Sequence, residues 1–309
     1  MQFADLAVAE ACPSNRFLEE MQQVVPWDLF EKQLKAQILH KTGGRRPYPR
    51  LLLFKMHLLQ SWFGLSDLQT SFQCEDRLSF RKFLSLGIGD TVPESTTLEN
   101  FRHELQATGL DVLLMEKLDA FFKTKGLLLK EGNMVDATFI QANCRPRKNQ
   151  DEQSDIDADH GHKGFGYSAT VNADRKSGLI RKAITTSERP HDSQNLESSL
   201  VGDEKELFAD SGYTGQDDML KKRNIKAKIL KKRHRGKKGE PTPELPLRDK
   251  YRNKLLAKLR APVEHIFACW KGIFKAVRVR YRGLERVNQQ VQSLALAYNL
   301  RRYGFLSRA

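Results

Sequence analysis

Asn133-Met134-Val135-Asp136-Ala137-Thr138-Phe139-Ile140 alternates as a strand does, with Met134, Asp136 and Thr138 on one face and Val135 and Phe139 on the other. Gly132 stands just ahead as a break. An unpaired charge inside such a strand is costly. Asp136 therefore needs a cation partner, a metal, or a place at the strand end where it caps a turn within reach of water.

Working outward, the chain repeats the arrangement. Leu207-Phe208-Ala209 is a second short apolar strand, and it ends in Asp210-Ser211-Gly212. Between the two lie a polar stretch, Arg145 to Lys163, that reads as a mobile loop, and a hairpin. The hairpin runs out along Phe165 to Asn172, turns over Asp174 to Gly178 and returns along Leu179 to Thr185. A helix start follows at Asp192 to Leu200, where Asp192 reads as a cap. Beyond Asp210 the pattern predicts a helix over Asp217 to Lys222, a strand over Ile225 to Leu230 and a linker over Gly239 to Pro246.

Lys250 to Lys271 has helical spacing, with Leu255, Leu256, Leu259, Val263 and Ile266 on one broad face and a kink or fresh start expected at Pro262. Glu264 falls in the first turn after it, and Lys271, seven residues on, lies on nearly the same face. Gln289 to Tyr303 reads as a closing helix over the sheet. Three strands, a helix, a strand, a helix, a strand and a late helix carrying a glutamate is the order of an RNase H-like α/β fold. In that fold the first and fourth strands are neighbours, which brings Asp136 and Asp210 together.

Upstream, the periodicity from Val24 to Phe122 is helical. Asp28 with Glu31 predicts a cap on a helix running to about His40, and Leu51 to Phe63 is apolar over most of a helical circumference. Leu78 to Leu86, a turn over Gly87 to Asp90, and a helix capped by Thr96 with Glu99 are compatible with either a helix-turn-helix or an ordinary helical hairpin. In the first reading Thr97, Asn100, Arg102 and His103 reach DNA. The expected organisation is an all-helical domain over 1–125, DNA-binding in the helix-turn-helix reading, and an RNase H-like mixed-sheet domain over 126–309.

The chain has 309 residues, with 52 Lys+Arg against 38 Asp+Glu, a net charge of +14 and a pI near 9.6. That excess favours a polyanionic partner, since each phosphate neutralised releases counterions. Between Lys221 and Lys238 there are eleven Lys or Arg and no acid. In a chain so basic this segment is expected to touch phosphates, chiefly through Lys221, Lys222, Lys231, Lys232, Arg233 and Arg235. The four cysteines form no C-x-x-C pair, and Cys144 with His160 and His162 matches no zinc spacing. No signal-like or membrane-spanning stretch is present, so a cytoplasmic, nucleoid-associated protein is expected.

At Val135-Asp136-Ala137-Thr138, Phe165-Gly166-Tyr167, Gly178-Leu179-Ile180, His191-Asp192-Ser193 and Ala209-Asp210-Ser211-Gly212-Tyr213 the chain resembles the DDE transposases of bacterial insertion sequences. Arg260, Val263-Glu264-His265-Ile266-Phe267 and Lys271 continue the likeness, as do Asn299-Leu300-Arg301-Arg302 and, upstream, Arg77-Leu78-Ser79-Phe80-Arg81-Lys82-Phe83. The resemblance is to the insertion-sequence-five family within the four/five superfamily. Ala257 stands where that superfamily often has Tyr, and Ser168 where Lys commonly follows Gly-Tyr.

The resemblance implies binding to terminal inverted repeats, phosphodiester hydrolysis at the element ends, joining of the freed 3′-hydroxyls to target DNA, and a homodimer on paired ends. Cutting such a bond develops charge on two oxygens, which two hard cations about 4 Å apart stabilise. Asp and Glu without His or Cys suit Mg2+, with Mn2+ as a substitute. Asp136 is expected to bridge both ions, with Asp210 and Glu264 holding one each and Arg260 and Lys271 steadying DNA phosphates. The alternatives are a catalytically silent DNA-binding protein derived from a transposase, or another RNase H-fold nuclease such as a junction resolvase.

Overall fold

A computed structural model describes residues 15–36, 47–128, 132–144, 155–161, 164–187, 192–233 and 244–308. The chain divides into two compact units, Met1–Ala120 with Ile273–Lys275 and Leu296–Ala309, and Phe121–Gly272 with Ala276–Ala295. The closing helix, expected within 126–309, belongs to the second unit up to Ala295 and to the first from Leu296 onward.

In the first unit the helices are α1 (Arg16–Val24), α2 (Trp27–Ala36), α3 (Arg50–Phe63), α4 (Asp67–Asp76), α5 (Leu78–Leu84), α6 (Ser95–Ala107) and most of α7 (Leu110–Thr124). Every residue of α3 from Leu52 to Trp62 is buried, as its all-round apolar pattern requires. The helix stops at Gly64, which takes the left-handed conformation at φ 65° and passes so close to the Phe274 carbonyl that a Cβ would sit 2.8 Å from it. Lys55, inside this core, stacks over Trp27 and Phe83 and donates to Gln22 Oε1; burial lowers its pKa to about 8.

Three expectations shift here. α2 starts at Trp27, so Asp28 lies inside the first turn and not at the cap. α6 starts at Ser95 after Glu94 with no side-chain cap, so Thr96 is not the cap either. Ten residues separate α5 from α6, longer than the three- or four-residue turn of a helix-turn-helix. The Arg81 guanidinium organises that connection by donating to the carbonyls of Gly87, Ile88 and Asp90.

The second unit holds a six-stranded mixed sheet of β1 (Asn133–Gln141), β2 (Asp159–Gly161), β3 (Gly164–Asp174), β4 (Ile180–Ser187), β5 (Glu206–Ala209) and β6 (Lys226–Ile229). β1 is central. It runs antiparallel to β3 from Asn133↔Asp174 to Gln141↔Gly166 and parallel to β5 from Asn133↔Leu207 to Val135↔Ala209. β4 pairs antiparallel with β3, and β6 runs parallel to β5. The path β4-β3-β1-β5-β6, with only β1, β5 and β6 parallel, is the RNase H-like order expected from the sequence.

One face of this sheet is sealed by Leu196 and Leu200 from α8 (Leu196–Ser199) and its end, and by Tyr213 and Leu220, the last on α9 (Asp217–Lys222), all packed with Val135 and Leu207. α10 (Leu247–Arg260) and α11 (Pro262–Ala268) follow, with α11 against β1. The hairpin turn is held by Asp174 Oδ1, which accepts from the Lys176 and Ser177 amides and the Ser177 hydroxyl.

Part of the expected mobile loop is ordered. Asp155 is 4% exposed and its Oδ1 accepts from Tyr167 Oη at 2.7 Å and from the Gly283 amide, while Asp157 accepts from the Leu284 amide at the start of α12 (Leu284–Leu306). These acids are tied to backbone and tyrosine donors, so their polarity does not signal a solvated coil. Residues 145–154 and 162–163 lie outside the described residues.

Candidate active site

The parallel pairing of β1 with β5 decides where two acids meet. Register partners end at Val135↔Ala209, so one step further Asp136 comes level with Asp210. Asp210 leaves the strand as the cap of a short 3-10 turn, its Oδ1 accepting from the Gly212 amide at 2.7 Å. A Cβ on Gly212 would stand 2.9 Å from that oxygen, so glycine lets the turn close on its own cap.

The third acid arrives through the helix pair α10 and α11. Ala261 keeps helical angles, and Pro262 takes the first position of α11, where its missing N–H costs little. Helical phase carries through the junction, so Arg260 and Glu264 keep the i, i+4 relation and face each other at 3.5 Å. Arg260 Nη1 donates to Asp136 Oδ2 at 2.7 Å.

Burial pushes the Asp136 carboxyl up to about 6; the Arg260 guanidinium pulls it down, and the Asp210 and Glu264 carboxylates push it up again. Three acids far apart in sequence therefore share one electrostatic neighbourhood. Among the described residues, however, no three His, Cys, Asp or Glu side chains are grouped to hold an ion as they stand. Arg260 supplies positive charge to both Asp136 and Glu264, and its Nε is buried with no hydrogen-bond partner.

A family model described as "Transposase DDE domain" matches residues 128–300, and another described as "Transposase domain (DUF772)" matches residues 7–104. The chain belongs to the DDE transposase family. A cryo-EM structure of the piggyBac transposase synaptic complex with hairpin DNA is 8% identical over 99% of this chain and 76% of that one, with a TM-score of 0.47, too distant to carry an argument. No described helix of this insertion-sequence transposase is long and apolar enough to cross a membrane.

The remaining candidates of the transposase fall in different places. Arg102, expected on a DNA face, is 4% exposed and makes a two-pronged ion pair with Asp67 at 2.6 and 3.0 Å. Burial pushes the Asp67 carboxyl up, but Arg102, Gln60 and His57 together hold it below the usual carboxylate range. Arg102 is a core tie, not a DNA contact. Helical spacing leaves the direction of this side chain open, and α4, which carries Asp67, packs against it.

Lys271 lies in a π-helical turn, Cys269–Ile273, which lags behind regular helical rotation, so the predicted alignment with Glu264 does not hold to the last turn. Lys221 and Lys222 project from the end of α9, and Lys232 and Arg233 are exposed beyond β6. Lys231 is engaged by Asp249 at 2.8 Å, and its backbone is zipped to Asn253. Arg235 lies outside the described residues. The Arg260 ion pairs were readable as a spacing, Arg260 to Glu264, but the link to Asp136 was not, because it crosses from helix to strand.

Proposed function

We propose that this transposase binds the terminal inverted repeats of its element as double-stranded DNA, hydrolyses phosphodiester bonds at the ends and joins the 3′-hydroxyls to target DNA, with Asp136, Asp210 and Glu264 as the catalytic carboxylates. The observation that carries the reading is the convergence of the three acids where β5 ends beside Asp136: burial chiefly, with the Asp210 and Glu264 carboxylates adding to it, lifts Asp136 despite a guanidinium 2.7 Å away. A site with more negative charge than its own cation neutralises suits a hard divalent ion. The donors are all carboxylate oxygens, which fits Mg2+ or Mn2+ and not zinc.

Asp136, Asp210 and Glu264 would hold the metal. When bound, it supplies charge stabilisation for the attacking and leaving oxygens and lowers the pKa of water. Arg260, which donates to Asp136 at 2.7 Å and faces Glu264 at 3.5 Å, would be the cation placed to meet a DNA phosphate beside these acids. Lys271, Lys221, Lys222, Lys232 and Arg233 would add phosphate contacts, and Lys231 would do so after giving up Asp249. Assignment to the insertion-sequence-five family and work as a homodimer on paired ends complete the reading.

Cleavage of an end-sequence duplex with Mg2+ by the wild type and by Asp136→Asn tests this. Cutting by the wild type alone, with DNA binding kept in the variant, is expected. Binding without cutting by either protein would favour the silent DNA-binding reading.

A further inference from the structure

Among the described helices, α4 and α10 each carry more than one large apolar side chain in the open, and their charges are opposite. On α4, Leu68 is 72% exposed and Phe72 60%. They are one helical turn apart, with Glu75 and Asp76 exposed on the following turn. α4 has three acids and no base in a chain whose net charge is +14. On α10, Leu247, Tyr251, Leu255 and Leu259 recur every fourth residue, with Leu247 83% and Tyr251 66% exposed. The spacing puts Leu255, Leu256 and Leu259 on one broad face, yet of this helix only Leu256 is buried.

Lys254 and Lys258 stand exposed between the apolar side chains of α10, which has six Lys or Arg and one acid. Among the described residues Glu75, Asp76, Lys254 and Lys258 form no ion pair.

We propose that α4 of one copy of this chain docks on α10 of a second copy, Leu68 and Phe72 packing among Tyr251, Leu255 and Leu259 while Glu75 and Asp76 face Lys254 and Lys258. The inference deepens the assembly part of the proposed function and is tested apart from it. α10 against α10 would oppose two basic helices, and DNA would suit α10 but be repelled by α4. Only the mixed contact satisfies both faces. Apolar rows at four-residue spacing on both helices are the ridges that interlock in the commonest helix packing. Each of these side chains leaves on the order of 100 Å2 open, so one α4 on one α10 supplies about half of the roughly 1,000 Å2 of a specific interface. Every copy carries both faces, so each copy can offer either side of the contact.

Sedimentation velocity of the full chain, without DNA or metal, tests the contact. The wild type is expected to self-associate in the micromolar range. Lys254→Glu with Lys258→Glu, or Glu75→Lys with Asp76→Lys, should each weaken association about tenfold or more, and the four changes together should restore it. Phe72→Ser with Tyr251→Ser should abolish association while circular dichroism stays unchanged, since both side chains are exposed. A wild type that is monomeric throughout, or association indifferent to the reversals, would overturn the proposal. So would loss of DNA affinity in the Lys254 and Lys258 pair with association intact, because α10 would then be a DNA face. Failure to cut DNA would touch none of these readouts.

Discussion

Asp136→Asn is expected to make the metal-free chain more stable at neutral pH while removing its chemistry. Burial, offset by Arg260 and reinforced by Asp210 and Glu264, raises the folded-state pKa of Asp136 from 3.8 to about 6. Well below 3.8 the carboxyl is protonated whether the chain is folded or not, and its burial as an acid carries no charge penalty. Between 3.8 and about 6 the folded chain holds the proton more tightly than the unfolded chain, so stability falls as pH rises. Above about 6 the whole penalty is present.

The gap is worth about 3 kcal/mol, at roughly 1.4 kcal/mol for each tenfold change in proton affinity. Asparagine keeps the shape of the protonated acid, and its carbonyl oxygen can still accept from Arg260. Urea unfolding in EDTA, followed by circular dichroism, should show the variant more stable by about 3 kcal/mol at about pH 8 and level with wild type at about pH 3.5. Adding Mg2+ at pH 8 should then stabilise the wild type and leave the variant unmoved. A variant that is less stable at pH 8, or equally shifted at both pH values, would refute the burden assigned to Asp136.

Arg102→Ala should cost about 3 kcal/mol in urea unfolding, because it leaves the Asp67 carboxylate without its buried partner, and the salt dependence of DNA binding should not move; a changed salt slope would return Arg102 to the DNA face. Gly166→Ala should abolish soluble expression or lower the melting temperature sharply, since its Cβ would lie 2.3 Å from the Ile140 carbonyl and force β3 off β1; a normal melting curve would contradict that packing. Lys232→Ala with Arg233→Ala should reduce the slope of log affinity against log salt by about 2 and weaken binding to unrelated DNA to a similar degree, read by fluorescence anisotropy; an unchanged slope would remove both from the phosphate contacts.

Much of the catalytic fold was legible because its signals are local. The strand around Asp136, the glycine turn after Asp210, the Asp174 turn and the proline at the head of α11 each rest on signals within a few residues, and all appear in the structure. Reading failed where a side chain had two plausible faces. Arg102, Leu255 and Leu259 lie on helices whose periodicity defines a stripe but not which neighbour covers it. Asp155 and Asp157 looked like loop solvent because their donors, Tyr167, Gly283 and Leu284, are distant in sequence.

The order of strands and helices followed from the sequence alone, since periodicity and turn chemistry operate between near neighbours along the chain, and the likeness to DDE transposases singled out the three acids. The register of β1 against β5, the guanidinium of Arg260 between Asp136 and Glu264, the burial of Arg102 and the bare faces of α4 and α10 were decided by tertiary packing. Each depends on which surfaces exclude water together, a property of groups separated by tens of residues that no local pattern carries.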